Sequence, residues 1–300
     1  MRLSRFYRLV LAFLVSGVFL LSQVRAQTIT PEVSFTPTPS PLDVWERELA
    51  EFKVKHTPKY QAQKEGLLKT FKAQVISYQE SYKRFALAKE QFEKLQTLKS
   101  LNEALEATRQ VAILRDQVLK TYIELLHLEL TQREPSLAKD KRIKAIQTAI
   151  ELIKKLEAHS SQLENLISRK ELYQALADYD ELFQEVVNFS YQAKFILKTD
   201  KLFAFYKQLE YLKRAVAKQG QQMIGNDKLK LVEFQRGLDE VEKELGQIRS
   251  AFNKVEEETM AFNTSKTDDG WYKVAIRQLT TIHSGSMRAV NYLIELAGLR

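Results

Sequence analysis

From Leu231 to Phe262, ten positions recur at spacings that alternate three and four without an error: Leu231, Phe234, Leu238, Val241, Leu245, Ile248, Phe252, Val255, Thr259 and Phe262. A strand would send such residues to both of its faces, whereas a helix of 3.6 residues per turn gathers them into one stripe. Glu, Lys, Gln and Arg flank the stripe. The run therefore predicts a helix packed against others at a shallow angle, in the manner of a coiled coil. A chain that contains it must also supply the helices that cover it.

The rest of the chain reads as those helices. Only 9 glycines and 6 prolines occur in 300 residues, too few for a β-rich or loop-rich fold. No segment after Leu42 alternates like a strand. A short helix is expected from Leu42 to His56 and a long one from Pro58 to Leu98, where Phe71, Val75, Tyr78, Tyr82, Phe85 and Phe92 make an aromatic stripe. Ser100 and Glu103 fit a capping box that opens the next helix, with Leu101, Leu105, Val111, Leu114, Val118, Tyr122 and Leu125 inward and an end near Arg133, before Pro135. Another helix, from Ser136, presents Ile143, Ile146, Ile150, Ile153, Leu163 and Ile167.

Ser168 and Glu171 make a second capping box. Beyond it Leu172, Leu176, Tyr179, Phe183, Val186, Ala193 and Leu197 keep heptad spacing, and the phase shifts near Thr199 and Asp200, where a kink is expected. The pattern resumes through Leu202, Phe205, Leu209, Leu212 and Val216 and is expected to end at Gly220 and Gly225. After the heptad run, Thr267 or Asp268 caps a last helix that uses Trp271, Val274, Ile282, Ala289, Leu293 and Leu296 inward. Within it, Ser284-Gly285-Ser286 marks either tight packing or a bend.

Six main helices joined by short turns predict an all-α fold: an elongated antiparallel helical bundle with coiled-coil-like packing. Dividing them three and three gives two tandem three-helix bundles, residues 42–167 and 168–300; a single continuous bundle fused across Thr199 is the other arrangement the pattern allows.

The N-terminus bears on compartment. Basic Met1–Arg8 precedes an apolar run from Leu9 to Leu21, and Val24-Arg25-Ala26 offers a cleavage site before Gln27, so residues 1–26 read as a signal peptide. An uncleaved signal anchor is the alternative, although the run is shorter than the ~20 residues that span a bilayer comfortably. Residues 27–41, with four of the six prolines among threonines and serines, read as an extended linker. The expected location is extracytoplasmic: secreted, periplasmic or at the cell surface.

Charge and side-chain chemistry narrow the function. Four of the eight surplus positive charges are Arg2, Arg5, Arg8 and Arg25, so only +4 remains for the rest of the chain. That surplus is too thin to indicate a nucleic-acid partner. Lys139, Lys141, Arg142 and Lys144 form one local basic cluster, and Lys207, Lys213, Arg214 and Lys218 another; both are candidates for contact with anionic headgroups or wall polymers. With no cysteine there is no disulfide, thiolate metal site or thiol nucleophile.

Of the four histidines, His127 stands three residues after Glu124, the Glu-x-x-His spacing of di-iron bundles, but no second copy of the motif occurs. Phosphate loops, Gly-x-Ser-x-Gly elbows and His-Glu-x-x-His helices are missing from the sequence. The sequence thus nominates no catalytic residue, metal ligand or cofactor site. It predicts a non-enzymatic exported scaffold or adaptor that contacts proteins of the cell envelope, with membrane proximity through the N-terminal segment and homo-oligomers both compatible with it. The competing reading is an extracytoplasmic ligand-binding or sensor domain, with Phe71, Tyr78, Phe85 and Phe92 enclosing an apolar molecule.

Overall fold

The computed structural model describes residues 58–132, 137, 139–165, 168–224, 228–260 and 270–297. Six helices account for almost all of them: α1 (Pro58–Leu95), α2 (Leu98–Gln132), α3 (Lys139–Glu164), α4 (Arg169–Ile224), α5 (Lys228–Met260) and α6 (Gly270–Leu296). No strand occurs among the described residues, and no helix there is long and apolar enough to cross a membrane. The leader, the linker, the helix expected at Leu42–His56, Ile167, Phe262 and the caps Thr267 and Asp268 lie outside the described residues.

Successive helices run antiparallel. The start of α1 meets the end of α2, where Tyr60 Oη donates to Glu129 at 2.7 Å. Further on, Lys155 of α3 pairs with Glu185 of α4 at 2.6 Å, Phe203 of α4 meets Phe252 of α5 edge-on at 5.6 Å, and Arg288 of α6 reaches Glu244 of α5 at 2.9 Å. α2, α3 and the first half of α4 enclose one core, with Ile123, Leu130, Ala149, Leu152, Leu156 and Phe189 at its centre. The second half of α4, α5 and α6 enclose another, around Leu209, Val241, Phe252, Val255, Ile282 and Leu293. Helices from both sides of residue 168 contribute to the first core. α4 belongs to both cores. It runs 56 residues without a break through Thr199 and Asp200, about 84 Å at 1.5 Å per residue.

Several expected faces shift, each for a local reason. The heptad stripe of α5 is buried from Phe234, whose ring meets Gly220 of α4, to Val255, but Leu231 stands 40% exposed. In α3 the buried line is Ala145, Ala149, Leu152, Leu156, His159 and Leu163, while Ile143 and Ile150 are exposed. The two alanines bring α3 close to its neighbours, a contribution that a search for large apolar residues overlooks. α2 buries residues on opposite sides, including consecutive Val111, Ala112 and Ile113, because α1 covers one side and α3 with α4 the other. In α6, Ala275 and Leu279 are buried, and Val274 is exposed.

Turns and glycines differ too. α2 opens three residues earlier than expected: the Thr97 hydroxyl accepts the Ser100 amide at 3.2 Å and Ser100 Oγ accepts the Thr97 amide at 3.1 Å. This reciprocal box places buried Ser100 inside the first turn of α2. The Ser168 box forms as expected, with the Ser168 amide donating to Glu171 at 2.9 Å and the Glu171 amide to Ser168 Oγ at 3.3 Å. Gly220 does not end α4. It lies inside the helix, where an added Cβ would run into the Phe234 ring. Gly285 and Ser286 are buried, with Ile248 of α5 against Gly285, so Ser284-Gly285-Ser286 marks tight packing.

Candidate functional site

Four helices converge on the most chemically equipped group of side chains. Asp116 lies on the buried side of α2, with its carboxylate fully enclosed, and His159 takes a position of the buried line of α3. His159 Nδ1 is 2.5 Å from Asp116 Oδ2, and Nε2 is 3.0 Å from the Ala175 carbonyl of α4. Arg115 directs Nε and Nη2 at Asp116 Oδ1, at 3.3 and 3.2 Å, and its guanidinium lies 3.0 Å from the centre of the Tyr179 ring. Tyr179 is itself 5.6 Å from the His159 ring. From α1, buried Tyr78 feels the Arg115 charge.

These contacts fix the proton count. A carbonyl only accepts, so Nε2 must carry hydrogen. Nδ1 faces Asp116 Oδ2 at hydrogen-bond distance, and a proton held there on the ring makes His159 an imidazolium. Burial works against that charge. The Asp116 hydrogen bond and charge outweigh it, the Ala175 carbonyl adds to them and Arg115 opposes, so the His159 pKa lies above the ordinary histidine value. Burial drives the Tyr78 and Tyr179 phenols upward and keeps both neutral. With both ring nitrogens bonded inside the protein, His159 has no edge free to exchange a proton with a substrate. The arrangement can tie α2, α3 and α4 together.

The sequence's candidates are placed otherwise. Glu124 and His127 share α2, half-buried; burial raises the first and lowers the second, and Glu124 has Lys120 at 3.9 Å. Among the described residues no three His, Cys, Asp or Glu come together as a metal site. The aromatic stripe of α1 turns toward α2, with Tyr78 buried and Phe71 at 6.2 Å from Tyr122. A shallow groove of about 340 Å³ does lie between α1 and α2, but Thr70, Ala73, Gln74, Ser77 and Leu114 line it, and none of the stripe's aromatic rings does.

Neither basic cluster is a free cationic patch. Arg142 is buried and Lys141 donates to the Glu256 carbonyl at 3.3 Å. Lys207 pairs with Glu210 at 2.8 Å, and Lys213 with Glu242. A lysine the sequence did not single out is more perturbed: burial first, then Lys198, lowers Lys194 to about 8, and its ammonium lies 5.7 Å from the Tyr122 ring.

The His159 pair left a faint trace in the sequence. His159 keeps the three-and-four register of Leu152, Leu156 and Leu163, so a polar residue stands in an apolar line. Nothing local names Asp116 as its partner, 43 residues away. Compared with family models, with curated proteins and with solved structures, the chain finds no match.

Proposed function

We propose that this chain is a non-enzymatic scaffold, exported from the cytoplasm, that holds another protein of the cell envelope on the outward face of α1. The reading rests on one observation above others: among the described helices, α1, 38 residues long, has its backbone close to α2 alone. A helix of that length covered on one side leaves an extended surface for a partner helix. On its outward side Ile76 is 57% exposed, and Lys72 and Lys83 form no ion pair among the described residues. Arg2, Arg5 and Arg8 followed by the apolar run Leu9–Leu21 support export.

A photo-crosslinking residue at Ile76, in whole cells, tests the reading. The expected result is an adduct with a different envelope protein, and none from the equally exposed Tyr173 on α4. If Ile76 and its outward neighbours trap no other protein, the scaffold reading fails. The α1–α2 groove, where Gln74 Oε1 is buried with no hydrogen-bond partner among the described residues, favours a second reading as a ligand-binding or sensor module. A ligand-dependent rise in Tm that Gln74→Leu abolishes would select it.

A further inference from the structure

We propose that the tip of the α1–α2 hairpin, residues 86–107, is a contact through which two copies of this chain associate. Among the described residues the tip extends past the ends of α3 and α4. α3 ends at Glu164, whose carbonyl meets Arg109 of α2 at 3.4 Å, and α4 begins at Arg169. α2 joins the α3 and α4 core only from Leu105 onward. Between Tyr78 and Val111 no apolar residue is buried, and Ser100 alone is enclosed, by its capping bonds. About seven residues of α2, Leu98 to Ala104, therefore extend past the core, roughly 10 Å, with the end of α1 alongside them.

A two-helix projection with no core of its own is poorly supported in water, and this one exposes leucines at its apex. Leu87, Leu95 and Leu98 are 57%, 63% and 74% exposed, and Phe92 and Leu101 are half-buried. The turn between the helices is two residues long and fixed by the Thr97 and Ser100 bonds, so the leucines are held in place rather than free to fold inward.

The charges select the occupant. The tip carries three lysines and four glutamates, and some already alternate in pairs along α1, Lys94 with Glu90 at 2.6 Å and Lys89 with Glu93 at 3.8 Å. A strongly acidic or basic partner would call for a surface of one sign, and a lipid surface for an unbroken apolar face. A two-fold contact calls for a surface complementary to itself, and near-neutral charge of mixed sign around apolar residues provides that. About twenty residues per copy lie at the small end of stable interfaces, which points to a weak, micromolar dimer. The contact does not depend on the scaffold reading.

The absence of cysteine makes the test clean. In the full chain, Leu98→Cys is compared under mild oxidation with Met287→Cys, a 44% exposed position on α6 that records random collision. The expected result is a disulfide-linked homodimer from Leu98→Cys and little from Met287→Cys, since the bond needs Cα atoms about 4.4–6.8 Å apart. Light scattering over about a hundredfold range of concentration should show a monomer–dimer equilibrium. The double variant L95E/L98E should abolish it with helix content and Tm unchanged. Equal cross-linking at the two positions, or a monomer throughout, overturns the proposal. So does an adduct of Leu98→Cys with another protein, or flotation with phosphatidylcholine vesicles that L95E/L98E removes, because either assigns the tip to a different occupant.

Discussion

A single proton holds the pair on which three helices meet. Because the folded-state pKa of His159 is raised, the pair's contribution to stability is complete below the unfolded value near 6.5 and is lost as pH rises through the folded value. Stability measured by denaturant should therefore fall from pH 6 toward pH 9, and the fall should be smaller in Asp116→Asn, which removes the interaction that raises the pKa. At pH 6 that variant leaves the Arg115 guanidinium without its carboxylate and should cost about 3–5 kcal/mol. Gln96 offers an opposite change: at the end of α1 it holds φ of 47°, with its amide bonded to the Phe92 carbonyl at 2.9 Å. Gln96→Gly should gain about 1 kcal/mol in thermal or chemical unfolding, since glycine adopts this conformation without a clash. At this scale the sequence was legible where partners are neighbours. Ser168 and Glu171 were visible as a box three residues apart, but near residue 100 two overlapping capping patterns compete, and Asp116 and His159 meet only through packing.

Helices as elements were easier to find than their faces. Each of the six main helices is where periodicity places it, because every one carries apolar residues at three and four with few breakers. Which stripe is buried depends on what lies opposite, and that the sequence does not contain. α3 carries two regular lines, one of isoleucines and one of alanines and leucines, and the alanine line faces the core. The distinction is measurable: Leu152→Ala should cost about 2–5 kcal/mol, and Ile143→Ser within about 0.5 kcal/mol of zero. α5 had no competing line, so Leu245 and Ile248 were identified from spacing and are 4% and 2% exposed. Replacing either with Asp should cost 3 kcal/mol or more, roughly, by burying an unpaired charge.

In the whole molecule, α4 binds two cores into one structure. Calorimetry should show a single transition for residues 58–297 if the shared helix couples them, and a proline at Lys198 should split or broaden it, since proline breaks the ladder where the helix passes between the cores. The sequence suggested a kink there because the apolar phase shifts. The shift falls where α4 exchanges one set of neighbours for another, and Thr199 Oγ1 bonds the Phe195 carbonyl at 2.9 Å there, within a helix that continues through it. Such a helix also restricts how this chain can change in length. Each residue inserted near position 199 turns everything after it by about 100°, so one added residue would aim the second core's contacts at solvent, whereas seven nearly restore the original direction. Related chains that differ in this segment should therefore differ by sevens, and a single-residue deletion there should be among the least tolerated changes in the protein.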